Sequence, residues 1–150
     1  MAKNDEPKTI HGNLVLRRDT TFEGDLIVEG NITGNFNLYI TRGSLIAKSI
    51  NVRDLDASII YAKDISAYHL YGEIVADISV TAHNIDVGAH NIYTKYLKAW
   101  DIYARDIIAK EISARSIVAR YVICDKLTQP PKTKNNVTKI IKMGYGSDII

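Results

Sequence analysis

Large aliphatic residues occupy every fifth position from Ile40 to Ile85: Ile40, Leu45, Ile50, Leu55, Ile60, Ile65, Leu70, Val75, Val80 and Ile85. A period of five fits neither the roughly 3.6-residue turn of a helix nor the two-residue alternation of an open strand. A strand that turns a corner in each unit does fit it. Residues at i and i+2 of an extended segment point to the same side, so each unit offers two inward positions and turns with the rest.

The second inward position is small. Ala47, Ala57, Ala62, Ala67, Gly72 and Ala82 follow their anchors by two residues, with Val52 and Val87 as larger variants. After Ile85 the anchors shift by two positions and resume as Ile92, Leu97, Ile102, Ile107, Ile112, Ile117, Val122 and Leu127. Their small partners are Ala99, Ala104, Ala109, Ala114, Ala119 and Cys124. Phe22, Ile27 and Ile32 give a weaker lead-in at the same step, which slips near Asn35.

The expected fold is all-β: a single-domain β-solenoid with a C-terminal tail. Four sides would close a square coil, giving about five coils if each takes about 20 residues. Residues 1–13 read as an N-terminal arm, 14–128 as the solenoid and 129–150 as a cap or tail. Gln129-Pro130-Pro131 stops the strand pattern, because proline cannot donate to a ladder.

With this repeat the chain resembles the pentapeptide-repeat proteins, which form a square β-helix, although the large residue here precedes the small one, as in Asp101-Ile102-Tyr103-Ala104. The segment from Phe22 to Asn35, with Gly24, Gly30 and Gly34, also resembles the opening of bactofilins, β-helical proteins that polymerise into filaments. Bactofilin-like repeats step by about six residues, and the resemblance implies a self-assembling structural protein.

Two irregularities interrupt the pattern. Asp77 falls where a small inward residue is expected; an inward unpaired carboxylate is costly, so a local slip onto Ile74, Ala76, Ile78 and Val80 is expected to turn it outward. The seven-residue step from Ile85 to Ile92 implies a bulge over residues 86–91, where Gly88 and Asn91 supply turn chemistry. His69, His83 and His90 lie nearby without close carboxylate or cysteine ligands, and read as solvated corners rather than a metal site.

Function is less legible. No nucleophile and base pair, phosphate loop or paired catalytic carboxylates stand out, so neither an enzyme nor a cofactor is expected. The charge of +2 from 19 basic and 17 acidic residues favours no nucleic acid. One cysteine and the lack of a long apolar run fit a cytoplasmic chain with no membrane partner.

The aromatic residues fall outward. On a square coil Tyr71 would lie beneath Tyr93 and Trp100 beneath Arg120, forming surface ladders. Tyrosine, tryptophan and arginine anchor interfaces most often, which makes Tyr71, Tyr93, Tyr96, Trp100, Tyr103, Arg120 and Tyr121 the candidate binding residues for a protein partner. The bland alternative is that these tyrosines only stabilise strands. The tail residues Val137, Ile140, Ile141 and Met143 either cap the last coil or join copies into a homo-oligomer. The leading expectation is therefore a non-enzymatic interaction rod. The rivals are a bactofilin-like filament, an inhibitor or binding module acting on a nucleic-acid-processing machine, and a ligand- or nucleic-acid-binding module using His69, His83, His90 and the basic tail.

Overall fold

A computed structural model describes residues 6–88 and 90–129, together with the backbone of 136–142. The strands are β1 (Lys8–Ile10), β2 (Leu14–Val15), β3 (Thr20–Glu23), β4 (Leu26–Val28), β5 (Asn31–Thr33), β6 (Leu38–Thr41), β7 (Ser44–Ile46) and β8 (Ser49–Asn51). Five more follow: β9 (Asp54–Asp86), β10 (Asn91–Tyr103), β11 (Asp106–Cys124), β12 (Lys126–Thr128) and β13 (Asn136–Lys142). Every pairing between them is parallel. The described residues contain no helix, and hence none long and apolar enough to cross a membrane. The chain is a parallel β-solenoid of about seven turns.

The expected square section, with about five coils, is corrected by the register. Leu45 lies opposite Ile60, Ile50 opposite Ile65, Ile92 opposite Ile107, Leu97 opposite Ile112 and Ile102 opposite Ile117. One winding therefore takes three five-residue units, and the rod has three sides. The first side carries Leu45, Ile60, Ile74, Ile92, Ile107 and Val122; the second carries Ile50, Ile65, Val80, Leu97, Ile112 and Leu127; the third carries Leu55, Leu70, Ile85, Ile102 and Ile117. All are buried except Leu127, which packs against the core. Alanine at the second inward site keeps this section narrow. Each buried anchor contributes about 1.5 to 3 kcal/mol, offset mostly by chain entropy.

The first windings are wider. Leu14 lies opposite Ile32 and Ile32 opposite Ile50; Thr20 lies opposite Leu38. The unit there is six residues, with Leu26, Ile32 and Leu38 fully buried, whereas the expected anchors Phe22 and Ile27 are only half-buried. Asn13, Asp19 and Asp25 recur at the same six-residue step. Their side-chain oxygens accept from the backbone N–H groups of Asn31 (2.8 Å), Asn37 (2.9 Å) and Ser44 (2.7 Å), one winding ahead. These bonds satisfy corner donors that no ladder reaches.

Both irregularities resolve in physical terms. Ile74 and Ala76 are buried, Val75 is half-buried and Asp77 is exposed, so the chain slips and avoids burying the carboxylate. Gly72 makes room for the slip: its φ is +106°, and a Cβ there would fall on the carbonyl oxygen of Ala57. After Ile85, Gly88 turns with φ +55° and Asn91 is buried. The Asn91 amide donates to Tyr93 Oη (3.0 Å) and its oxygen accepts from Arg105 Nε (3.2 Å). Asn37 is held in the same way by Tyr39 (2.9 Å) and Arg53 (2.8 Å).

The ladder continues beyond residue 129. β13 pairs in parallel with β11, placing Ala119 opposite Val137, Val122 opposite Ile140 and Ile123 opposite Ile141, so this backbone adds to the winding. Pro130, Pro131 and Met143 lie outside the described residues. Among the described residues β1, β2 and β3 pair on one edge only, as do β12 and β13.

Candidate functional site

The unit large-x-small-x-x shapes the surface as well as the core. The small residue points inward, so the residues before and after it stand as two walls with a low floor between them. Repeated up each side, this makes an axial trough.

On the second side the trough encloses about 740 Å³. Its floor is Ala67, Ala82, Ala99 and Ala114, and one wall is the hydroxyl-rich row of Ser66, Thr81, Lys98, Ser113 and Thr128. Register places Asn51 opposite Ser66, Thr81 opposite Lys98, Lys98 opposite Ser113 and Ser113 opposite Thr128.

The other wall is a stack of π-systems. Tyr68 and His83 lie 4.6 Å apart with ring planes within 4°, His83 and Trp100 lie 4.6 Å apart at 32°, and the Arg115 guanidinium sits 5.3 Å over Trp100. These contacts use most of the ring faces, so edges and polar tips line the trough. Arg115 is fixed from behind by Asp101, whose carboxylate accepts from Nη2 at 2.9 and 3.1 Å.

The third side carries a second trough of about 840 Å³. Tyrosine and aspartate alternate along it: Tyr39 lies opposite Asp56 and Asp86 opposite Tyr103, with Tyr71 between the two aspartates. Burial raises the Tyr71 phenol above its ordinary value, and the carboxylates of Asp54, Asp86 and Asp56 raise it further. Burial alone raises Asp56.

The expected binding residues are spread over all three sides. Trp100 belongs to the second trough, but its stacking neighbours are His83 and Arg115 rather than Arg120, because a winding is shorter than the square coil assumed. Tyr71 and Tyr103 share the third side. Tyr93 lies opposite Val75 and Ile108 on the first side and does not stack on Tyr71. Tyr96 stands opposite Ser79 and Glu111 on the second side. Arg120 donates to Asp106 (2.8 and 3.1 Å) and covers the Tyr121 ring at 4.8 Å. That pairing lowers the Asp106 carboxyl, through the hydrogen bond from Arg120 above all. Val137, Ile140 and Ile141 lie on β13, described by its backbone alone.

Sequence reasoning missed His83 and Arg115 as partners of Trp100, and Tyr68 as the partner of His83. Adding fifteen residues, or seventeen across the slip, instead of twenty would have found them. The three histidines serve separately: His69 meets Asp54 at 2.9 Å, His83 stacks, and His90 lies 3.9 Å from Glu73. Among the described residues no group of three metal-ligating side chains gathers. Compared with known proteins, the chain matches no family model, no curated protein and no solved structure.

Proposed function

We propose that the chain is a non-enzymatic interaction rod whose second-side trough docks an extended segment of a protein partner. The observation that carries this reading is the wall His83–Trp100–Arg115 standing over an alanine floor, with Tyr68 stacked on His83 at its end. The trough is long, shallow and open at the top, which suits a strand-like segment better than a compact substrate. Lys98 and Arg115 line it with four hydroxyls, and among the described residues no carboxylate does. The segment it fits is rich in acceptors, with acidic side chains near Lys98. A scaffold ordered by continuous ladders loses little further freedom on binding, so more of the contact energy appears as affinity.

Trp100 is the sole tryptophan of the chain, so its emission reports on this trough. Titration with acidic, neutral and basic extended peptides is expected to shift that emission saturably with the acidic set. Lys98→Glu is expected to weaken the effect. An emission indifferent to all three sets would overturn the reading.

A second reading is filament formation. It is favoured by β1 to β3, β12 and β13, each paired on one edge only among the described residues, since an unpaired edge is a template for another chain. The six-residue step of the first windings resembles that of bactofilins. Scattering mass that grows without limit with concentration, with filaments in micrographs, would support it. A fixed small mass would exclude it.

A further inference from the structure

The middle outward position of the first side is apolar from Ile27 to Ile123. Register places Thr9 opposite Ile27, Ile27 opposite Ile46 and Ile46 opposite Tyr61. It then places Val75 opposite Tyr93, Tyr93 opposite Ile108, and Ile123 opposite Ile141. The same position on the second side holds Val15 and then only polar residues, Thr33, Asn51, Ser66, Thr81, Lys98, Ser113 and Thr128, and on the third it alternates tyrosine with aspartate from Tyr39 to Tyr103, between Thr21 and Val118. Ile46, Tyr61 and Ile108 are each at least 40% exposed. Strand preference cannot account for one apolar row, because all three sides are strands of one ladder. Ile27, Val75, Tyr93 and Ile123 are half-buried between them, and an apolar row of this length at the surface marks an interface.

We propose that this stripe is the face through which two copies of the chain pair side by side, with their axes parallel. The area suffices. Seven windings at about 4.8 Å and a side about 16 Å wide give a little over 500 Å² per copy, or about 1,100 Å² in the pair, above the ~1,000 Å² a specific interface needs. Two copies also share one axial repeat, so each winding of one stripe faces the same winding of the other along the full length. A two-fold contact of this kind closes on itself and stops at two.

Charge selects the direction. One edge of the first side carries Lys48, Lys63, Lys95 and Lys110; the other carries Ser44, Ile59, Asn91 and Asp106 at the same levels. No ion pair within the rod engages these lysines among the described residues. With antiparallel axes like edges meet, and Lys48 faces Lys110 while Lys63 faces Lys95. With parallel axes the lysine edge meets the edge without lysines, and Lys110 faces Asp106. Like charges then meet at two levels, Asp25 with Glu29 and Glu73 with Asp77. Each of these glutamates already has a histidine beside it, His11 at 3.0 Å from Glu29 and His90 at 3.9 Å from Glu73.

The test is scattering mass on the whole chain, followed by cross-linking. The expected mass is that of two chains, falling to one in the double variant Ile46→Asp, Ile108→Asp. Both positions are outward, so circular dichroism and the Trp100 emission should stay unchanged. A wild-type chain that remains single at high concentration overturns the proposal, and so does a pair that survives the double variant. In a Cys124→Ala background, Ile46→Cys is expected to oxidise to a disulfide between equivalent positions. A disulfide formed only when Ile46→Cys is mixed with Ile108→Cys means antiparallel axes and overturns the assigned direction. The stripe and the second-side trough lie on different sides, so the peptide titration stands or falls independently.

Discussion

The windings before residue 52 and those after residue 90 solve the same closure problem with different units. The early part uses six residues per side as far as Leu38, strands of two to four residues, and, apart from Gly34 and Ala47, larger second inward residues: Leu16, Val28 and Ile40. The late part uses five residues, the long continuous strands β10 and β11, and alanine in that role. An extra corner residue widens the section, and a wider section must be filled, so the second residue grows with the unit. It also frees a backbone donor at each corner, which Asn13, Asp19 and Asp25 satisfy in turn. Late corners need no such cap; Arg115 and Arg120 tie their windings through Asp101 and Asp106 instead.

The largest expected effect breaks the transition between the two halves. Gly72→Ala drives a Cβ onto the Ala57 carbonyl in a left-handed backbone, and should cost more than about 3 kcal/mol in urea unfolding. Gly12→Ala, also left-handed but with open space around it, should cost about 1 kcal/mol. Next comes the filling rule. Leu16→Ala should lose about 2 to 5 kcal/mol by leaving a cavity, while Ala114→Leu should lose about 1 to 3 kcal/mol by overfilling the narrow section. Equal tolerance of both changes would refute the link between unit length and the second inward residue.

The smallest effect is in acid. Asp106 is held below the ordinary carboxylate value by Arg120, so its contribution is full above that value and fades as pH falls through its lowered one. Asp56 is raised, so its protonation favours the folded state and works the other way. Asp106→Asn should flatten the acid limb of a plot of urea midpoint against pH, and Asp56→Asn should steepen it.

The solenoid itself was legible because Ile40 to Leu127 repeat their anchors so regularly. The slip at Asp77 was legible too, since Ile74 and Ala76 alternate around it. How many units close a winding was not. The repeat dictates what each side looks like, whereas the number of sides depends on how large and small residues fill the section together. A square coil matches Trp100 to Arg120 and Tyr71 to Tyr93, whereas three-sided closure matches Trp100 to His83 and Arg115. The six-residue step was hidden because Phe22, Ile27 and Ile32 imitate the later period. The Asx residues at 13, 19, 25, 31 and 37 were the better guide.

Three-sided closure also gives the chain an angular phase. Removing one five-residue unit would rotate everything downstream by roughly a third of a turn and move the Trp100 wall onto another side; removing fifteen residues would shorten the rod and leave its sides aligned. The uneven steps around Gly72 and Gly88 act as phase corrections, returning Ile92 to the side of Ile74. For such a rod, loss or gain of whole windings preserves its surfaces, while smaller changes in length scramble them.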